Sequence, residues 1–553
     1  MRQTGSTEGL AGRAIAGSHV VLLGWDIRQE KVKRGLLGFA IHRQDQTENE
    51  SRWLRGMKMF PGTPAAVGSD ASSREQPIQS FQWGDYSAKA GHRYVYSVVP
   101  MYGAPGALTE GPALTLAVTT ETEGGPGHSI YFNRGAVASQ EYARRFHNQK
   151  PDVAGPEAYA WLSRGLEESI ATFIRRADGA SYGLRGAIYE FQWPALLAEL
   201  RQADERGADV RILYDAIDNA VHDPVAPNEE AIEAAGIGAL CTGFVNGKLM
   251  HNKFLVLTKD GAAVAVLTGS SNWTPNGLFG HLNCTHVVDN PNVAADYLAY
   301  WSELSQDQGS SAMKDWTGGR GHLPLDLPDD SVTAVFSPQS SLSALNAYAH
   351  YAGSARKALF ATFAFGMNKA FLPAYRERDS VLRFALMEKE GNGAQLAQGK
   401  LDIAEIRKLP NVEVALGCNV KVNSFDRWVE EASSAVERAN VHWVHTKFML
   451  VDPLGEQPTV ITGSANFSGA STSTNEENML VIRGDQRVAD IYLGEFMRSF
   501  AHYAFREAVH RFQQQGGAAA SWTPQNLAAD DAWLDDYFKP GSARALKRRY
   551  FAG

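Results

Sequence analysis

The chain has 553 residues and a formal net charge of −8, from 53 basic and 61 acidic side chains. That length calls for several domains with their own cores, and the acidic balance argues against broad, sequence-independent nucleic-acid binding, which leaves a basic footprint. Cys241, Cys284 and Cys418 are too widely spaced for a disulfide framework or a zinc site. No stretch approaches the roughly 18 apolar residues a membrane span needs. Residues 1–18 lack the apolar core of a secretion signal. The expectation is a cytoplasmic protein with reduced thiols, secretion without a cleaved signal being the remaining option.

Residues 19–120 read as β-structure. Runs at 19–25, 36–43, 94–102 and 113–119 are rich in β-branched and aromatic residues and are separated by Gly, Pro, Asn and Ser clusters. This predicts a sandwich over residues 1–122, with Trp25, Trp83 and Tyr94 in its core. The run from Gly91 to Pro100 resembles a late strand of a fibronectin type III module, Tyr94 falling where that fold places a corner tyrosine. The stretch ETEGGPGH, 121–128, predicts a linker. Beyond it helical patterns alternate with apolar strands, which predicts α/β layers.

The α/β part divides into halves at 129–325 and 326–515. The first predicts a helix near 161–177, a strand at 187–191, a helix at 194–206, and strands at 210–214, 251–257, 263–267 and 285–288. The second predicts a helix near 341–356 and strands at 359–365, 381–387, 445–451, 459–461 and 479–482. Long connections at 216–250 and 388–444 precede the corresponding strands and are the expected seat of substrate selection. A tail, 516–553, holds Trp522, Trp533 and Tyr537 in a packed segment and ends in Arg544, Lys547, Arg548 and Arg549, expected as a solvated basic end.

The halves share one motif. His251-Asn252-Lys253 is followed by Gly269-Ser270-Ser271-Asn272, and His445-Thr446-Lys447 by Gly463-Ser464-Ala465-Asn466, with 18 residues from His to Gly in both. Matched copies in one chain predict duplicated domains that join two half-sites. On a strand, His251 and Lys253 share a face, as do His445 and Lys447. Two lysines and two asparagines around one phosphate would stabilise the charge of a five-coordinate phosphorus without a metal. One neutral imidazole would attack phosphorus, and the other, protonated, would serve the leaving oxygen. Aligning the halves sets Glu477 against Asn283. A carboxylate beside His445, with Asn283 beside His251, would make His445 the acid/base and His251 the nucleophile; Glu476 is the alternative carboxylate. His281 and His442 are expected as bystanders, Lys248 and Arg427 as solvated charges, and Trp273 and Phe467 as core.

These residues resemble the phospholipase D superfamily, whose signature is His-x-Lys-x4-Asp followed by Gly-Ser-x-Asn. The second copy matches in full through His445, Lys447, Asp452, Gly463, Ser464 and Asn466; the first has Thr258 where the Asp belongs, with Asp260 two residues on. The resemblance covers about residues 129–515 and implies duplicated phospholipase D-like α/β sandwich domains. It also implies a metal- and cofactor-independent phosphodiesterase acting through phosphohistidine, with His251 as nucleophile and the motif aspartate structural. The favoured substrate is a phospholipid headgroup ester, implying peripheral membrane contact. The alternatives are a nuclease, suggested by basic residues such as Lys248, Lys421 and Arg427, and a degenerate binding protein in which Thr258 and Asn283 mark lost catalysis. No partner of the sandwich is predicted.

Overall fold

Each half is built on a seven-stranded mixed sheet, and the two sheets have the same strand order. In the first the order is His128–Phe132, Cys284–Val288, Ala262–Gly269, Lys253–Lys259, Tyr182–Ile188, Asp209–Asp215, Cys241–Phe244; in the second it is Val332–Ser337, Glu477–Arg483, Thr459–Gly463, Phe448–Val451, Ala358–Phe363, Leu382–Met387, Val412–Leu416. Numbered along the chain, both read 1-7-6-5-2-3-4. This computed structural model describes all residues except 65–68, 136–138, 148, 219–223, 392, 418–443 and 516–525. Cys418, Lys421, Arg427, His442 and Trp522 therefore lie outside the described residues.

The last three strands of each order run parallel. Such strands need crossovers, here the helices Pro194–Glu205 and Val225–Ala235 in the first half and Leu372–Arg376 and Leu396–Ile406 in the second. Burial on both faces explains the unbroken apolar runs: every residue of Ala358–Phe363 is buried, as is all of Lys253–Lys259 except its last. One core spans the two halves, with Phe132 against Phe448 at 6.0 Å and Phe448 against Tyr492 at 5.1 Å. Helix Pro291–Leu304, capped by Asn290, reaches the second half through Tyr300, whose hydroxyl donates to the Ser337 carbonyl at 2.7 Å.

The helix expected near 161–177 is two helices, Pro156–Ser163 and Leu166–Arg175, broken where Arg164 and Gly165 take φ of 50° and 89°. The break turns Arg164 inward. Its guanidinium donates to the Phe132 carbonyl at 2.8 Å and pairs with Glu495 at 2.7 Å. Glu495 comes from the 29-residue helix Gln486–Gln514 and also holds Arg498 at 2.7 Å. Burial alone would raise the Glu495 carboxyl, but Arg164 and Arg498 outweigh it and bring it down to about 2. Its stabilisation is thus complete above the ordinary carboxylate range and is lost as pH falls through about 2. Glu495→Ala strands two buried guanidinium groups and should cost about 3–5 kcal/mol, read as a drop in unfolding free energy by denaturant titration.

The N-terminal region is all β, with two sheets packed on Trp25, Phe39, Tyr94, Tyr96 and Leu114. Its first strands, Arg2–Ser6 and Leu10–Ala16, lie ahead of the segment expected to be β. Trp83 packs against this core half-buried, and the Tyr94 hydroxyl accepts the Lys89 N–H at 2.9 Å. The tail joins the same core: Trp533 and Leu534 are buried in it, and the Trp533 indole N–H donates to the Leu36 carbonyl at 2.8 Å. The basic end is paired where a solvated one was expected. Helix Ala543–Ala552 packs along Val21–Ile27, so Arg548 meets Asp26 and lies 4.1 Å from the Phe538 ring centroid, while Lys547 pairs with Glu413 at 2.7 Å. Among the described residues no helix is long and apolar enough to cross a membrane.

Candidate active site

The two halves meet so that the residue ahead of each His-x-Lys motif bridges to the segment ahead of the other half's last strand. Met250 forms a parallel bridge with Glu476, and Leu282 forms one with Val444. The first is fixed by His251 N–H donating to the Glu476 carbonyl and Glu476 N–H donating to the Leu249 carbonyl, both at 3.0 Å. Each histidine therefore takes its ring partner from the opposite half. His251 Nδ1 lies 2.8 Å from Glu477 Oε2, and His445 Nδ1 lies 2.8 Å from Asn283 Oδ1. This corrects the sequence-based pairing of Glu477 with His445 and of Asn283 with His251. Aligned positions of a repeat become neighbours across its pseudo-two-fold, not within one half. Glu477, not Glu476, is the carboxylate on a motif imidazole; the Glu476 side chain is fully buried.

Both partners are held by further bonds. Asn283 Oδ1 accepts from Ser270 Oγ at 2.8 Å, and its amide donates to the Gly277 carbonyl at 2.8 Å, which orients the carbonyl oxygen toward His445. Ser464 Oγ accepts the N–H of Asn478, beside Glu477, at 3.0 Å. Both serines thus fasten the turns to the partner strands. Gly269 and Gly463 take φ of 153° and 159°, where an added Cβ would lie 2.2 Å from the Cys284 carbonyl oxygen and 2.3 Å from that of Asn478. Only glycine lets the turns sit so close to the next strand.

His251, Asn272, His445 and Asn466 line one cavity of about 770 Å³. Lys253 and Lys447 are buried beneath them. The Lys253 ammonium donates to the His251 carbonyl at 2.6 Å and lies 4.9 Å from the Tyr189 ring centroid, whereas Lys447 Nζ is buried with no hydrogen-bond partner among the described residues. Burial lowers both lysines; Glu477 opposes this at each, and the nearby Lys253 adds to it at Lys447. Burial also drives His251 down to about 4, with Glu477 opposing and Lys253 and Lys447 assisting. Glu477 itself is held low: burial pushes it up, but His251 and Lys253 pull harder. At neutral pH the pair is a neutral imidazole on a carboxylate, so the proton sits on Nδ1 and the Nε2 lone pair is free. An anionic phosphodiester entering this cavity meets two buried lysine amines, whose charge it favours, two amides and a free imidazole nitrogen.

Asp452 is not at the cavity. At the other end of strand Phe448–Val451 it accepts the N–H groups of Arg356, Lys357 and Ala358 at 2.8, 2.6 and 2.9 Å. It pins the start of Ala358–Phe363. In the first half, with Thr258 in that place, the turn closes through Asp260 N–H on the Ser181 carbonyl at 2.6 Å.

Sequence reasoning missed Tyr189 and Glu190, which line the cavity. The Tyr189 ring centroid is 5.1 Å from that of His251, and Glu190 accepts from the Asn272 amide. A carboxylate inside the apolar run Ala187-Ile188-Tyr189-Glu190-Phe191 was the available signal. His281, expected as a bystander, lines the cavity with its ring centroid 5.9 Å from that of His445. Lys248 is at the cavity rather than merely solvated. Trp273 packs on Phe191 as core, while Phe467 is buried and also reaches the cavity.

A family model described as cardiolipin synthase, PLD-like domain, matches residues 173–305 and 401–500, each segment carrying one His-x-Lys copy. The mitochondrial cardiolipin hydrolase of Drosophila melanogaster is 26% identical over 164 residues, covering 26% of this chain; the chain spans 62% of the length of that relative. Among solved structures, phosphatidylserine synthase of Haemophilus influenzae Rd KW20 aligns with a TM-score of 0.43 at 14% identity, over 63% of this chain and 91% of that one. Yeast tyrosyl-DNA phosphodiesterase aligns with a TM-score of 0.31 at 11% identity, over 54% and 82%.

Proposed function

We propose that this chain, two segments of which match a cardiolipin synthase, PLD-like domain model, is a metal-independent phosphodiesterase acting on phospholipid headgroup esters through a phosphohistidine. The observation that carries the reading is the crossed pairing of His251 with Glu477 and His445 with Asn283 in one cavity. His251 remains the nucleophile, on a different argument from the one the sequence offered. Kept neutral by burial, its Nε2 attacks phosphorus while the bond to the headgroup oxygen breaks, and the ring becomes cationic. Glu477, in contact with Nδ1, offsets that charge. His445, whose partner is a neutral amide, gives its Nε2 proton to the leaving oxygen. It then takes one from the incoming water, or from an alcohol in exchange, as the phosphohistidine bond breaks and His251 is restored. Lys253, Lys447, Asn272 and Asn466 hold the phosphoryl oxygens throughout.

The cavity walls favour lipid over polynucleotide. Ile188 pairs with Lys253 in the first sheet, and Ala361 with Met449 in the second, so Tyr189 and Glu190 correspond to Ala364 and Phe365. One wall is thus polar. The other is apolar, with Phe365, Met367, Leu372 and Phe467. Lys248 and Lys369 are there too, but with Glu190, Glu390 and Asp402 they make no basic trench among the described residues. The connection expected to select substrate supplies helix Leu396–Ile406, which lines the cavity through Gln398 and Asp402 and leaves Leu401 66% exposed, fit for peripheral contact with a bilayer.

The test is incubation in EDTA with phosphatidylcholine or phosphatidylethanolamine vesicles plus ethanol, and in parallel with single- and double-stranded DNA. Phosphatidylethanol and phosphatidic acid are the expected products. DNA cleavage without lipid turnover would assign the site to nucleic acid, and abolition of turnover by EDTA would end the metal-independent scheme.

A further inference from the structure

His281 is the third histidine of the cavity, and nothing in the chemistry above uses it. Its main chain is clamped: its N–H donates to the Asn276 carbonyl at 2.8 Å, and its carbonyl accepts from the Asn133 amide at 2.6 Å. Its side chain is different. The residue is 5% exposed, and its Nε2 is buried with no hydrogen-bond partner among the described residues. Leaving such a group unpaired costs about 1–3 kcal/mol. The pseudo-two-fold sharpens the point. His281 stands two residues before Asn283, and Asn475 two residues before Glu477; both line the cavity, but the Asn475 amide is engaged with Glu477 Oε1 at 3.4 Å. His281 makes no matching bond to Asn283. A core histidine would have found a partner; this one is fixed in place on the wall of a substrate cavity.

We propose that His281 forms a hydroxyl-binding subsite for the leaving alcohol, selecting headgroups that carry a free hydroxyl near the ester oxygen, as glycerol does. The proposal rests on the phosphodiesterase reading. Two observations set the ligand class. First, His281 neighbours His445, the group assigned to the leaving oxygen, with ring centroids 5.9 Å apart, so whatever it binds is one or two carbons from that oxygen. Second, burial and the nearby Lys447 push the ring down to about 3, so it is neutral across the working range. A neutral imidazole offers one donor and one acceptor and no charge. That matches a hydroxyl, which can both give and take a hydrogen bond, better than an ammonium or a carboxylate.

The experiment compares kcat/KM on mixed vesicles of phosphatidylglycerol and of phosphatidyl-1-propanol, which differ in the two headgroup hydroxyls, with bis(p-nitrophenyl) phosphate as a headgroup-free control. The unmodified protein should prefer the glycerol ester by at least about 30-fold, since a site built to bond a hydroxyl rejects the analogue lacking it. In His281→Phe, which keeps the ring volume, the preference should shrink to about threefold or less. His281→Gln, whose amide both donates and accepts, should restore much of it, with thermal midpoints confirming that both variants are folded. An unmodified protein indifferent to the hydroxyls, or a His281→Phe variant slowed equally on both lipids, overturns the subsite while leaving the phosphodiesterase reading intact. Absence of turnover on all three substrates overturns that reading, and the subsite with it.

Discussion

Replacing His251 with asparagine should leave a folded protein with no phospho-enzyme and at least about 10⁴-fold less turnover, because the group that forms the covalent bond is gone. Replacing His445 with asparagine should behave differently on different leaving groups. With a lipid headgroup, a poor leaving group, loss of the proton donor should slow the first step by about 10²–10⁴. With p-nitrophenol, which departs without a proton, the first step should survive, and only attack by water on the phosphohistidine should be slow. That variant should then release one equivalent of p-nitrophenol per site in a burst and hold the phosphoryl group on the protein. Acid-labile, base-stable label mapped to His251 in the His445→Asn variant is the expected result; label on His445 in His251→Asn would exchange the two roles.

What the sequence made legible was whatever is local along the chain. The interval from His to Gly is the same in both motifs, so the duplication and both His-x-Lys sets could be read directly, and the strands carrying them fall within a few residues of expectation. The partner of each histidine could not be read, because it depends on how two sheets meet. The bridge from Met250 to Glu476 joins residues more than 200 positions apart and carries Glu477 onto His251. The alignment of halves correctly found Glu477 and Asn283 as equivalent positions but placed each on the wrong ring. The edge strands His128–Phe132 and Val332–Ser337 and the helix Gln486–Gln514 were missed for a related reason. Their residues are selected by contacts with the other half and with the N-terminal sheets, as in the Arg164–Glu495 pair, rather than by a period of their own. His281 illustrates the limit most plainly: a histidine near a motif carries no signal until the cavity and its unpaired nitrogen are seen.

Glu477→Gln gives the second large effect and distinguishes which imidazole the carboxylate serves. Free His251 must be neutral to attack, so kcat/KM should rise with pH through its value of about 4. On the alkaline side activity should fall as buried Lys253, already below the usual lysine range, loses its proton and its grip on the phosphate. Glu477 opposes the downward shift of both groups. Without its charge both values drop further, and the whole bell should move toward acid rather than narrowing from one side. The height should fall as well. A phosphorylated His251 is a buried cation, and the variant offers it a neutral amide where a carboxylate stood 2.8 Å away. A loss of about 3–4 kcal/mol for that uncompensated charge corresponds to roughly 10²–10³ in rate. If Glu477 instead served His445, the acid limb would stay in place while the alkaline limb alone moved, so the pH profile of one conservative variant decides the pairing in solution. Asn283→Asp provides the converse: a new carboxylate on His445 should hold its proton to higher pH and slow its transfer to the leaving oxygen, with the acid limb of kcat/KM unchanged.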